Sequence, residues 1–195
     1  MALVGLWTNQ AMSNSGWSTA QMQHNALDLY NYFTAQGWSI NAICAMLGNM
    51  QVESYINPGQ WQIGSTIEGI PADGIGFGLV QWTPWTKFTN WAGSDYRTNF
   101  EKQKYRIIYE LNNGLQWIVR ASYNNMTFRQ FSVSNATIDY LTEVFVRCYE
   151  NPADWQSSIA IRRSNANAWY QYLSGQPTPL TVPIWLLFKI KEANK

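Results

Sequence analysis

Histidine is almost missing: His24 is the single one in 195 residues, and there are only two cysteines, Cys44 and Cys148. A zinc peptidase takes most of its ligands from His and Cys, and this set is too small to supply them. A Cys/His peptidase or amidase is disfavoured as well. Cys44 and His24 fall on neighbouring predicted helices, with no glycine-flanked turn to present a nucleophile. Both cysteines fall on predicted buried faces, where a thiol behaves as a small hydrophobe. Spacing alone leaves a disulfide between them open. Charge is scarce too: 13% of residues, with a formal net charge of +1. No basic stripe marks the chain, so nucleic acid is not expected as a partner. The apolar run from Ile184 to Phe188 is far too short to cross a bilayer, so no membrane span is expected. The first residues lack a basic start and a long apolar run, which predicts no secretory signal.

What is abundant is apolar and aromatic. Hydrophobic residues make up 46% of the chain, with 11 Trp and 11 Tyr. That suffices for one full core. Tyr and Trp also suit a wet groove, because one end is apolar and the other polar. Most are assigned here to the core and a minority to a cleft. The organisation read from the sequence is a polar lead over residues 1–17, one domain over 18–175, and a Pro-containing linker and tail over 176–195.

Helical periods dominate that domain. Ser18 and Gln21 form a capping box, followed by Met22, Ala26, Leu29 and Phe33 at helical spacing and Gly37 as a stop. The period is lost from Gln60 to Thr83, where glycines punctuate short apolar pieces. This predicts a β-hairpin or loop-rich β lobe. Asn90 to Thr98 reads as a polar connection. Helices are expected over Asn99–Leu111, over Leu115–Arg120, from Thr127, and from Ile138 to a stop at Asn151-Pro152. A last one is capped by Asp154, carries Ile161, Ala168, Trp169 and Leu173, and ends at Gly175. The fold class is α+β, mainly α.

One stretch organises the rest: Ala42 to Pro58, AICAMLGNMQVESYINP. Ser39 is a plausible N-cap, and Asn57-Pro58-Gly59 stops the helix. Ile40, Ile43, Leu47, Met50 and Ser54 share one side. Asn49 lies toward the polar side, and Glu53 lies at the edge of the apolar stripe on the last turn. Half-burial and the negative end of the helix dipole both disfavour a carboxylate there. A raised pKa is therefore expected for Glu53, which suits a general acid. A second unusual stretch is Gly74 to Pro84, GIGFGLVQWTP, whose glycines let backbone turn sharply and approach a ligand closely.

Together these segments resemble the lysozyme-like superfamily, including goose-type lysozymes and soluble lytic transglycosylases. They are more similar to the phage tail lysozyme family, wall-degrading enzymes on the tails of short-tailed phages of Gram-positive hosts. The resemblance runs through Ile43-Cys44, Leu47 to Gln51, Glu53-Ser54, Ile56 to Gly59 and Gly76 to Pro84. It continues more weakly through Met126 to Phe128 and Tyr149 to Ala153. It implies a lysozyme-like fold with a small β lobe along the cleft, and Glu53 as the catalytic acid. It implies cleavage of the β-1,4 bond between N-acetylmuramic acid and N-acetylglucosamine in peptidoglycan glycan strands, without metal or cofactor. The implied setting is the virion, at the phage tail tip, beside other tail proteins.

Glycoside hydrolysis commonly uses a second carboxylate. Asp73, bordering the glycine turn, is preferred to Glu68 for that role, although Asp73-Gly74 is also an ordinary turn pair. Single-acid chemistry, using the substrate's acetamido group or a positioned water, and a lytic transglycosylase outcome stay open. Gln81, Trp82, Asn57, Tyr55 and Tyr149 are the candidate substrate-binding residues. A non-catalytic glycan-binding tail module is the remaining alternative.

Overall fold

The computed structural model describes residues 17–62 and 74–176. Residues 1–16 of the expected lead, the tail beyond 176, and the candidates Glu68 and Asp73 lie outside these residues. Helices dominate what is described. Three of them start on local caps, of which those at Ser18 and Ser39 are expected from the sequence. Ser18 and Gln21 close a reciprocal box at the start of α1 (Thr19–Ala35). The Ser39 hydroxyl accepts from the Ala42 amide at 3.1 Å to open α2 (Ile40–Ser54). Thr127 and Gln130 form a second box before α5 (Phe128–Ser132). Each cap satisfies amides that the first helical turn leaves without partners.

The period places α4 (Lys102–Asn113) and α6 (Ile138–Phe145) near their expected positions. The polar connection expected over Asn90–Thr98 is in part helix, because α3 (Thr86–Ala92) runs into it and buries Phe88, Thr89 and Ala92. The last helix, α7 (Trp155–Ser174), starts after Asp154, but the Asp154 side chain makes no capping hydrogen bond. Among the described residues no helix is long and apolar enough to cross a membrane.

The central element is α2. Ala42 to Met50 are buried without interruption, so the amphipathic helix expected from the sequence is a core helix covered on all sides. It packs chiefly on α7 and α6, which also pack on each other. Gly48 makes this possible. A Cβ there would lie 2.6 Å from the Arg162 carbonyl oxygen and 2.6 Å from the Ala166 Cβ, so the two backbones meet almost directly. Asn49, expected toward the polar side, is fully buried. Its amide donates to the carbonyls of Ala45 (2.8 Å) and Thr142 (3.1 Å), which removes the cost of burying it.

The expected β lobe over Gln60–Thr83 is described only in part, since residues 63–73 lie outside the described residues, and the helix expected over Leu115–Arg120 is corrected. No regular strand forms among the described residues, only isolated antiparallel bridges of Phe77 with Trp61 and with Trp82. The second bridge closes a tight turn, with Gly78 at φ 83° and Gln81 at φ 49°. Leu115 to Arg120 is not a helix. It is a strip held against a π-helical turn, Val146–Glu150, that continues α6. There Gln116 Nε2 donates to Tyr149 O (3.1 Å), Ile118 N to Cys148 O (2.7 Å) and Arg120 Nε to Arg147 O (2.9 Å). These tertiary bonds compete with local helix formation and win.

Candidate active site

The end of α2, the glycine-rich turn, the strip after α4 and the π-helical turn converge on one cleft of about 580 Å³. Glu53 reaches it from the last turn of α2, and Gly74 and Gln81 from the glycine-rich turn. Gln116 comes from the strip after α4, and Glu150 and Asn151 from the π-helical turn. The two stretches singled out in the sequence are bonded directly. The Ser54 hydroxyl lies 2.8 Å from the Leu79 carbonyl oxygen and 3.1 Å from that of Met50. Gln103 clamps the same turn from α4. Its Oε1 accepts from the Leu79 amide at 2.8 Å, and its Nε2 donates to the Pro58 carbonyl at 2.6 Å. A Cβ on Gly78 would sit 2.5 Å from Gln103 Oε1, and Gly78 has a positive φ, so both space and backbone require glycine.

The Glu53 side chain is 21% exposed and faces the cleft. Behind it stands Arg162, whose side chain is 4% exposed. Its Nη2 donates to Glu53 Oε1 at 2.5 Å and its Nη1 to Glu150 Oε2 at 2.5 Å. Nη1 also reaches Asn49 Oδ1 at 3.0 Å, and Nε donates to Ser158 Oγ at 2.9 Å. One guanidinium therefore orients two carboxylates from two other elements, a use suited to its planar fork. Glu53 is thus paired with a buried cation from α7. Glu150 is the more deeply placed acid, with a 4% exposed side chain. Burial, and then the neighbouring Glu53 carboxylate, push the Glu150 carboxyl well above its usual range against the pull of Arg162.

The remaining candidates divide. Tyr55 and Gln81 line the cleft. Tyr55 is the left-handed cap of α2 and is exposed. Gln81 Nε2 donates to the carbonyls of Gln60 (3.1 Å) and Gly78 (3.0 Å), which leaves its amide oxygen as the acceptor able to meet a ligand. Asn57, Trp82 and Tyr149 are buried and do not line the cleft. Asn57 Oδ1 accepts from the Gly59 amide at 3.0 Å and shapes the helix exit. Trp82 Nε1 donates to Glu110 Oε1 at 3.0 Å, and the Tyr149 hydroxyl donates to Glu110 Oε2. Both residues thus satisfy a buried carboxylate that also takes Arg106 Nε at 2.8 Å. Burial raises the Glu110 carboxyl, and these three donors lower it in part.

Residues not singled out from sequence include Trp61, Lys87 and Gln116 in the cleft wall, and Glu150 and Arg162. Only Glu150 had a sequence signal, as part of the weaker Tyr149-to-Ala153 resemblance. The cysteines are free and buried, with no disulfide. Burial pushes the Cys44 thiol up to about 12 and the Cys148 thiol up to about 11, so neither is poised as a nucleophile.

A mainly helical domain with an acid at the end of its central helix, facing a glycine-turn cleft, has the features of a lysozyme-like enzyme. Comparison with known proteins narrows this. The profile of the phage tail lysozyme family matches residues 24–173, and the chain belongs to that family. It is 42% identical over 165 residues to "Morphogenesis protein 1" of Bacillus phage B103. That alignment covers 84% of this chain and 43% of the relative, so the chain spans less than half the length of that relative.

Proposed function

We propose that the chain is a peptidoglycan hydrolase that cleaves the β-1,4 bond between N-acetylmuramic acid and N-acetylglucosamine, with Glu53 as general acid. The carrying observation is that Glu53 faces the cleft while its other side is oriented by Arg162. In the reaction, protonated Glu53 gives its proton to the glycosidic oxygen as the bond to the anomeric carbon breaks. Positive charge develops at that carbon. Water then adds its hydroxyl there and returns a proton to Glu53. Gln81 Oε1 accepts from an N-acetyl N–H, and Tyr55 supplies aromatic surface along the sugar.

Asp73 is the candidate second carboxylate, since it directly precedes Gly74 in the cleft wall. Glu150 is too enclosed to meet a sugar directly, which keeps single-acid chemistry, including a lytic transglycosylase outcome, as the second reading. The setting supported by the family and by the phage relative is the virion, where local wall digestion lets a tail pass; other tail proteins are its expected neighbours.

The test is digestion of purified Gram-positive peptidoglycan, with mass spectrometry of the soluble products, for wild type and Glu53→Gln. Reducing muramic-acid ends, reduced about 10²–10⁴-fold in the variant, are expected of a muramidase that uses this acid. Anhydro-muramic ends would reassign it to transglycosylation. No released glycan from wild type would leave a wall-binding module.

A further inference from the structure

Behind Glu53, the buried acid Glu150 shares its guanidinium partner. Arg162 already bonds Glu53, Asn49 and Ser158. Two carboxylates on one guanidinium carry one negative charge too many for a site this enclosed. The geometry shows where the balance is restored. Glu150 Oε2 takes Arg162, whereas Glu150 Oε1 is buried and has no donor among the described residues. The Glu53 and Glu150 carboxyls take the two terminal nitrogens of the same guanidinium, each at 2.5 Å, which sets them side by side. Two carboxylates can bond each other only when one carries a proton, because ionised carboxylates only accept.

We propose that Glu150 is a positioning residue that shares one proton with Glu53 and so keeps the catalytic acid loaded from its solvent-shielded side. This rests on the reading of Glu53 as the acid. The groups facing Glu150 are Glu53 from α2 and Arg162 from α7, with Tyr149 beside it on its own turn. With one proton in the pair, the three groups are neutral together: one carboxylate, one carboxylic acid and one guanidinium. The proton resides on either acid. When it is on Glu53, Glu150 is the carboxylate that balances Arg162. When Glu53 donates to the leaving oxygen, the attacking water supplies the replacement, so no proton is gained or lost over the cycle. The π-helical turn has a reason in this arrangement. It carries the buried acid toward the cleft at the end of α6, and such turns recur at functional sites.

The inference predicts an asymmetric effect of Glu150→Gln. The amide keeps the shape and still accepts from Arg162, but it cannot carry the shared proton or the balancing charge. Glu53 then has to protonate beside an uncompensated guanidinium, and does so only at lower pH. The alkaline limb of the kcat/KM profile should move down by about one pH unit or more, the scale of coupling between interacting acids. Turnover above that limb should fall about tenfold or more, with little change at the acid end. A profile that keeps its limb, whatever its height, overturns the proposal and makes Glu150 a packing residue.

A second measurement needs no variant to fold. In ¹³C-glutamate-labelled wild type, the side-chain carboxyl resonances of Glu53 and Glu150 should titrate together in two shared steps. Independent single-step curves overturn the proposal. Failure of the underlying reading is separately visible, since undiminished turnover of Glu53→Gln would remove Glu53 as the acid regardless of the behaviour of Glu150→Gln.

Discussion

Gly48→Ala is the substitution for which local and tertiary effects have opposite signs. In an exposed helix interior the change would stabilise by about 1 kcal/mol, because alanine has the higher helix propensity. Here the new methyl would lie 2.6 Å from the Arg162 carbonyl oxygen, 2.7 Å from the Ala166 amide nitrogen and 2.6 Å from the Ala166 Cβ. Two of those three atoms are backbone, so no rotamer change relieves the clash. α7 has to retreat from α2 by roughly 1 Å to restore normal carbon–carbon and carbon–oxygen separations. Overpacking of this kind costs about 1–3 kcal/mol, and a backbone clash belongs at the upper end. Subtracting the propensity gain leaves a net loss of about 2 kcal/mol, or a fall in Tm of roughly 4–8 °C for a domain of this size.

Activity should fall further than stability implies, because the retreating turn carries Arg162 and loosens its 2.5 Å contact with Glu53. A misplacement of about 1 Å can cost on the order of 10²-fold in rate. The assay is thermal unfolding together with peptidoglycan solubilisation below the variant's own Tm. Adding Ala166→Gly should restore stability only in part, since the carbonyl and amide clashes remain. A Gly48→Ala protein with unchanged or higher Tm and full activity would refute the close α2–α7 contact and the dependence of Glu53 on it.

Trp82→Phe should lower stability by about 1–2 kcal/mol in denaturant melts, because Glu110 loses a buried donor; kcat should change little, and a large loss of substrate affinity would return Trp82 to the cleft. Stability should also carry a pH signature from Glu150. Its folded-state pKa is raised, so its contribution is fully present below the unfolded carboxylate value of about 4.3 and is lost as pH rises through the folded value. Urea melts at mildly acidic and mildly alkaline pH should show wild type losing ground against Glu150→Gln as pH rises; parallel behaviour would show that Glu150 is ionised at no cost. Both cysteines should resist a thiol reagent at pH 8 until the protein unfolds, given their burial and raised pKa values; rapid labelling of the native protein would contradict the packing of α2.

The elements legible in the chain were those specified by neighbours three or four residues apart. Ser18 with Gln21 and Ser39 with the Ala42 amide each complete their bonds within one helical turn. The identity of Glu53 as the candidate acid, and its pairing with the glycine-rich turn, came from a motif long enough to mark a family. Spacing alone could not have joined Ser54 to Leu79.

What the tertiary structure decided lies where polarity and burial disagree. The sequence reading places Ile161 on the apolar side of the last helix and does not single out Arg162. The structure leaves Ile161 52% exposed and buries Arg162, on the face it shares with Ala166, Trp169 and Leu173. Asn49 is reversed in the same way, and both reversals meet at one point, since Asn49 accepts from Arg162. Hydropathy cannot predict this. A polar side chain is buried only when its partners are already in place, and here they arrive from α2, the π-helical turn and α7, far apart along the chain. The sequence by itself determined most of the helices, the caps at Ser18 and Ser39, and the candidate acid. The three-dimensional packing alone determined which charges surround that acid, because charge–charge contacts depend on distance in space and leave no periodic trace in the order of residues.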